Sequence, residues 1–356
     1  TVENNSLIVE CGDRSRYISY GDIYIQEADM YSYSYNTSFD GEGAITSAID
    51  YVVNEELPQV YVLEGHGEKE LPDSFQEQME KENIELHTLS LLNVDEIPEE
   101  TDCILIYGPS GDISQEEGKM LSDYAAGGGK LFVMAGPAED DSLENLYGLL
   151  ADYGVERTEG IVVEGDRAYY AFQAPYVLLP EMADSKITNS LIEEHYYPIM
   201  PVAQGLTVTG DSGKGTVTEL LTTSAASFSK IAGYDISTYE KEEGDTDGPF
   251  AVGISAADQS GGQIVWFSSS EFLDDMYNAY SSGANGDLGM NVLSALIGES
   301  EAVAIRSKSL NYNYLTISES TASLLKVLMI GVFPLLYLGF GISVIAARRR
   351  VQNETV

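Results

Sequence analysis

From Val327 to Ala347 the chain reads VLMIGVFPLLYLGFGISVIAA, 21 residues without a charge. At about 1.5 Å of rise per residue, such a helix reaches roughly 30 Å, the thickness of a hydrocarbon core. The alternative is a helix buried in a soluble core, but core helices are seldom apolar on every side for so long. Gly331, Pro334, Gly339 and Gly341 fall inside the run and are better tolerated in a spanning helix than in a soluble one. Arg348-Arg349-Arg350 follows at once and predicts a cytoplasmic tail, with everything before Lys326 outside. The charge distribution agrees, since 14 of 18 basic but 57 of 58 acidic residues precede Thr321. An outer N-terminal region needs a signal peptide or an earlier span. Residues 1–50 show neither and the chain opens on Thr1, so a preceding N-terminal span is expected to be missing from this sequence.

The 356 residues suffice for two domains or one large one with attachments, and 44% hydrophobic content predicts a sizeable core. A net charge of −40 repels nucleic acid and anionic headgroups, so nucleic-acid binding is excluded as an expectation. Cys11 and Cys103 read as two idle thiols, and no Cys/His spacing suits a metal. His87 and His195 stand alone. Glu243-Gly244-Asp245-Thr246-Asp247-Gly248 has the start of a calcium loop, but its twelfth position is Ile254, so a polar solvated loop is expected. Residues 138–145, AEDDSLEN, read as an acidic face or helix start. No metal and no cofactor is expected.

Along the chain, SLIVEC reads as a strand. DMYSYSYNTSF sets Tyr31, Tyr33 and Tyr35 on one strand face, either as a sugar-binding stripe or as the cover of an edge hairpin. GEGAITSAIDYVVNEE predicts a helix with Ala44, Ile45, Ala48, Ile49, Val52 and Val53 as its apolar face, stopped by Leu57-Pro58. An alternating rhythm of strands and helices starts at Gln59. QVYVL, ELHTL, CILIY and KLFVM are strands, and the helices between them begin near Pro72 and at a capping box of Ser114 and Glu117. The pattern predicts an α/β fold with a parallel sheet flanked by helices, preceded by a β-rich N-terminal piece and followed by one transmembrane helix. AVGISAAD and QIVWF predict two more strands, and GMNVLSALIGE a helix packed back on them.

Ligands in such sheets bind beyond the carboxyl ends of the strands. Three strands here end in glycine, and the candidate rim is Gly65, His66, Gly67, Glu68, Gly108, Pro109, Gly136 and Pro137. His66 and Glu68 could serve as base and orienter in a hydrolysis. Only Ser110 is placed as a nucleophile, since Ser142 lies far from its strand end and Cys103 at the wrong end of the sheet. No strained Gly-x-Ser-x-Gly elbow and no phosphate-binding P-loop occurs. The plainer reading gives the glycines a sharp strand exit and has His66 hydrogen-bonding a neighbouring loop. A ligand or partner contact is the other.

FDGEGAITSAIDYV, PQVYVLEGHGE, DCILIYGP, LSDYAAGGGKLFVM, LLTTSAASF and the terminal helix ending at Arg350 appear in an order that resembles the Gldg family, auxiliary membrane proteins of ABC-type transport systems first associated with gliding motility. The resemblance runs from about Phe39 to Arg350. It implies a class I glutamine-amidotransferase-like or flavodoxin-like outer domain without the amidotransferase nucleophile, and partnership with an ABC permease and its ATPase. The expected organisation is an N-terminal piece over residues 1–57, an outer α/β domain over 58–300, a tether over 301–323, a span over 324–347 and a tail over 348–356. Gly339 and Gly341 are expected to give a small-residue face for helix packing. The expected function is that of a non-enzymatic auxiliary subunit of an export system. A carbohydrate- or peptide-binding ectodomain and an amidotransferase-like hydrolase are the alternatives.

Overall fold

A computed structural model describes residues 4–29, 34–54, 56–139, 143–210, 215–298, 308–309 and 325–353. Tyr31 and Tyr33 lie outside the described residues, as do most of the tether and the side chain of Tyr35. The chain divides into two units. One comprises Thr1–Gln26 with Phe39–Lys308, and the other Glu27–Ser38 with Ser309–Val356.

The first unit is organised by a ten-stranded sheet. Its strands are β1 (Gln59–Leu63), β2 (Glu85–Leu89), β3 (Cys103–Tyr107), β4 (Lys130–Met134), β5 (Val155–Arg157), β6 (Glu181–Met182), β7 (Leu206–Val208), β8 (Gly215–Thr222), β9 (Ala251–Asp258) and β10 (Gln263–Phe267). The spatial order is β6-β8-β9-β10-β4-β3-β1-β2, with β7 joining β9 to β5. Every contact from β2 across to β10 is parallel. Beyond β10 the pairing is antiparallel. The parallel half thus runs β2-β1-β3-β4-β10, the strand order of flavodoxin-like folds.

Continuous apolar runs form this half because both faces are covered. All five residues of β3 are buried. Side chains alternate across the pleat: Ile104, Ile106, Leu131, Val133, Ile264 and Trp266 enter one core. Cys103, Leu105, Tyr107, Phe132, Val265 and Phe267 enter the other. Helices α3 (Gln115–Ala126) and α4 (Glu144–Ala151) supply Leu121, Ala125, Leu146 and Leu150 to the first core. Helices α2 (Asp73–Lys81) and α5 (Ala284–Ile297) supply Phe75, Met79, Leu288 and Val292 to the second.

At the N-terminus, strands Leu7–Cys11 and Arg14–Ile18 form an antiparallel hairpin against α1 (Gly41–Val53). The expected apolar face of α1 divides in two. Ala48 and Val52 are buried, whereas Ile45, Ile49 and Val53 are 38–60% exposed, because the hairpin covers only one edge of the stripe. The helix also ends at Val53, four residues before Leu57, where Asn54 takes an extended backbone.

The polar segment after Lys230 is not merely solvated. Lys230 is fully buried, and its ammonium lies 2.6 Å from Glu242 and 2.9 Å from the equally buried Asp245. Asp245 also accepts from the backbone N–H groups of Ile231 (3.1 Å) and Glu242 (2.8 Å). Burial alone would raise the Asp245 carboxyl, but these hydrogen bonds and Lys230 outweigh it and hold the group below its ordinary range.

In the second unit an apolar helix covers Val327–Ile345, about 28 Å at helical rise. Residues Val327–Val332 wind as π-helix and α6 (Phe333–Asn353) continues beyond them. Pro334 has no N–H to give to the preceding turn, which explains the wide winding just before it. Gly339 and Gly341 do not share a face, because two residues along an α-helix are about 200° apart.

Replacing Lys230 with Met leaves Asp245 as an unpaired buried charge. The expected cost is about 3–5 kcal/mol, read as a lowered midpoint in urea denaturation of the purified chain. An unchanged midpoint would mean that the ion pair contributes nothing to the fold.

Candidate functional site

The connection leaving β1 and the connection leaving β3 pass to opposite sides in the order β2-β1-β3-β4, so the carboxyl ends of β1 and β3 form the topological switch point, where a crevice is expected in such sheets. The first of these connections is Gly65-His66-Gly67-Glu68 and the second is Gly108-Pro109-Ser110. They are tied to each other, since the N–H groups of Ser110 (3.2 Å) and Gly111 (2.9 Å) both donate to the carbonyl of His66. Lys69 N–H donates to the carbonyl of Tyr107 at 2.9 Å.

His66 is held between two carboxylates. Its Nδ1 lies 3.1 Å from Glu68 Oε1, and its Nε2 lies 3.1 and 3.2 Å from the two oxygens of Glu117. Glu68 Oε2 also accepts from the backbone N–H of His66 at 2.7 Å. The side chains of His66 and both glutamates are over nine-tenths buried. Glu117 comes from the first turn of α3 and completes the capping box, accepting from Ser114 N–H at 2.8 Å. Burial pushes its carboxyl up, yet the Ser114 hydrogen bonds and His66 outweigh that and hold it below the usual glutamate range.

This geometry restricts the chemistry available. Both ring nitrogens already face acceptors, so the ring has no lone pair directed at a substrate. The nitrogens point away from each other, so Glu68 and Glu117 cannot close on one ion together with the ring. Among the described residues, His66 bonds neither a hydroxyl nor a thiol. Ser110 sits over Gly67 instead: Gly67 has φ +70°, and a Cβ there would lie 2.1 Å from Ser110 Oγ.

The remaining predicted rim residues are brought to the same edge. Gly108 has φ +58°, and a Cβ on it would meet the Ser270 carbonyl at 3.1 Å. A Cβ on Gly136 would meet the Ser268 carbonyl at 2.9 Å, while Gly136 N–H donates to Ser270 Oγ at 3.0 Å. Both glycines therefore allow the exits of β3 and β4 to close against the Ser268-Ser269-Ser270 exit of β10. Pro109 follows the first of them and Pro137 the second, and the carbonyl of Pro137 accepts from the Tyr234 hydroxyl at 2.8 Å. Just before Gly136, the Ala135 carbonyl accepts from both Tyr147 Oη (3.0 Å) and Trp266 Nε1 (3.1 Å). Sequence reasoning missed Glu117 as a partner of His66. The capping box held the signal, because a carboxylate at the third helical position turns back toward the strand ends.

The family described as an ABC-type uncharacterized transport system (ABC_transp_aux) matches residues 57–253, more than half of the chain. The chain belongs to this family. The family points to an auxiliary component associated with an ABC-type transport system, and the apolar C-terminal helix adds membrane association. No curated protein matches the chain. Among solved structures it is similar in fold to the mmIFT52 N-terminal domain, at 17% identity and TM-score 0.50, covering 67% of this chain and 97% of that one. A looser likeness is to PurLQS from Thermotoga maritima, at 11% identity and TM-score 0.33, covering 68% of this chain and 100% of that one.

The clamp makes a pH-dependent prediction. Glu117 titrates below its unfolded value of 4.5, so its contribution is present above that pH and is lost as pH falls through the folded value. Glu117→Gln should therefore be less stable than wild type at neutral pH, with the gap narrowing as the medium is acidified below pH 4.5. Thermal melts of both proteins across that range test this, and a pH-independent gap would deny the carboxylate its role.

Proposed function

We propose that this chain is a non-enzymatic, membrane-anchored auxiliary subunit of an ABC-type export system, of the Gldg kind. The observation that carries the reading is the family match over residues 57–253 in a chain that also holds the apolar helix Val327–Ile345. The outer α/β domain spans residues 58–300 and acts as an interaction module. Residues 1–57 form an N-terminal piece ahead of this module. Residues 301–323 tether the module, 324–347 cross the membrane, and 348–356 form a cytoplasmic tail marked by Arg348–Arg350.

The permease and the ATPase are the partners, and energy comes from the ATPase, since this sequence carries no P-loop. Three things support a contact role over a catalytic one. His66 has both nitrogens engaged by carboxylates. The space beside Gly108 is filled by the Lys69 side chain and the Ser270 carbonyl, and that beside Gly136 by the backbone of Ser268–Ser270. Cys103 is wholly buried, with burial pushing its thiol up to about 12. Of the rim of Gly65, His66, Gly67, Glu68, Gly108, Pro109, Gly136 and Pro137, Gly65 and Gly67 are exposed while Gly108, Pro109 and Gly136 are buried, so a partner would read it at the Gly65–Gly67 turn.

Orientation is testable with the native thiols, because Cys11 is exposed and Cys103 is buried. A membrane-impermeant maleimide should label intact cells, and Cys11→Ser should abolish the labelling. Labelling that appears only after lysis would place the module inside. Mild detergent extraction should bring down a permease and an ATPase with the chain, and its isolation alone would refute the partnership.

A further inference from the structure

A second surface of the first unit is assembled from three separate segments. Ala171 to Ala174 form a tight turn, with Ala174 N–H donating to the Ala171 carbonyl at 2.9 Å. Its two central residues, Phe172 and Gln173, have φ of +53° and +57°. Positive φ at both positions belongs to the mirror-image turn that Asn and Gly normally occupy, and a bulky aromatic there is an outlier. The surrounding loop fixes the turn, through Ala171 N–H to the Val177 carbonyl (2.9 Å) and Leu179 N–H to the Tyr169 carbonyl (2.7 Å).

The strained turn holds Phe172 54% exposed against Tyr280, whose ring centre is 4.5 Å away. Tyr176, from the same loop, lies 5.8 Å from Tyr239 of the segment after Lys230, and Tyr239 and Tyr280 are both over 40% exposed. Glu271 is tied to the start of the short helix Asp275–Tyr280, since Asp274 N–H donates to its carbonyl at 3.1 Å, and burial together with Glu271 raises the Tyr277 hydroxyl of that helix to about 12.

Three carboxylates gather beside these rings, while the cations of the adjoining segments are engaged elsewhere, Lys241 with Asp247 and Arg167 on the Tyr170 ring. Glu271 follows the Ser268–Ser270 exit, and Asp274 and Asp275 open the short helix Asp275–Tyr280. Among the described residues no Lys or Arg forms an ion pair with any of these three carboxylates. Exposed aromatic faces next to unpaired carboxylates attract a cation by ring quadrupole and by charge together.

We propose that Phe172, Tyr176, Tyr239 and Tyr280, with Glu271, form a docking surface for an arginine- or lysine-bearing segment of a partner protein. Charge complementarity decides the occupant, because the surface offers carboxylates without counter-ions on a chain of net charge −40. The backbone strain at Phe172 fits this role: it exposes an aromatic ring where a relaxed turn would place a small polar residue. The surface borders the glycine rim through Glu271, which follows the Ser268–Ser270 exit, and its use does not depend on which transport subunits the chain accompanies.

The full chain in detergent micelles is titrated into a fluorescein-labelled peptide of alternating arginine and glycine, and into the same peptide with glutamine for arginine. Wild type should bind only the arginine peptide. Tyr280→Ala should bind it about tenfold more weakly, the scale of a lost cation–π contact. The double variant Phe172→Asn, Gln173→Gly should weaken binding similarly while raising the melting temperature, since it relieves the strained turn. Neither variant alters the net charge, so equal binding by wild type and both variants would reduce the effect to bulk attraction and overturn the proposal. Equal binding of the glutamine peptide would overturn it too. Binding of a neutral chitin oligosaccharide that these variants abolish, with none of the arginine peptide, would assign the surface to sugars instead.

Discussion

The inner strands of the parallel half, β1, β3, β4 and β10, are buried on both faces, and the rest of the first unit follows from that. A strand such as β3, with all five residues buried, has no side left for polar atoms, so its only outlets are its ends. The carboxyl ends of β1, β3, β4 and β10 consequently meet at one edge. There the backbone turns sharply, and the glycines permit loops to approach within contact distance of one another. The Ala135 carbonyl, bound by both Tyr147 and Trp266, fixes one of these ends directly from the core. The edge is therefore as rigid as the sheet beneath it.

That rigidity bears on the chemistry. A general base needs an unshared nitrogen pointed at a substrate, whereas His66 spends both of its nitrogens joining the exit of β1 to the start of α3. The arrangement joins strand, loop and helix into one piece.

Most of the parallel half was legible in the sequence because β1, β3, β4 and β10 are largely apolar runs, whereas the edge strand β2 is polar and mostly exposed, and because helix starts such as Ser114 to Glu117 carry local signals. The antiparallel half was far less so. β5 and β6 span only three and two residues, too short for any periodicity to register, and each is fixed by pairing with a neighbouring strand. The Lys230 to Asp245 pair was invisible for another reason: separated by fifteen positions, they read as one lysine and a polar loop. The division of the α1 stripe was likewise beyond the pattern, since period alone cannot say how wide a covering hairpin is. At the candidate site the strand ends were foreseeable, while the second carboxylate on His66 came from an element that sequence order places fifty-one residues away.

The π-helical turns ahead of Pro334 have an effect on whatever lies alongside the apolar helix. Wider winding over Val327–Val332 accumulates a rotational lag of roughly 100°, one residue's worth, relative to an unbroken α-helix. The stretch before Phe333 and the stretch after it are out of phase, so a straight neighbouring helix that touches one stripe on the near side meets a different stripe on the far side. The apolar helix thus offers a short first seam of six residues and a longer second one in place of one continuous one.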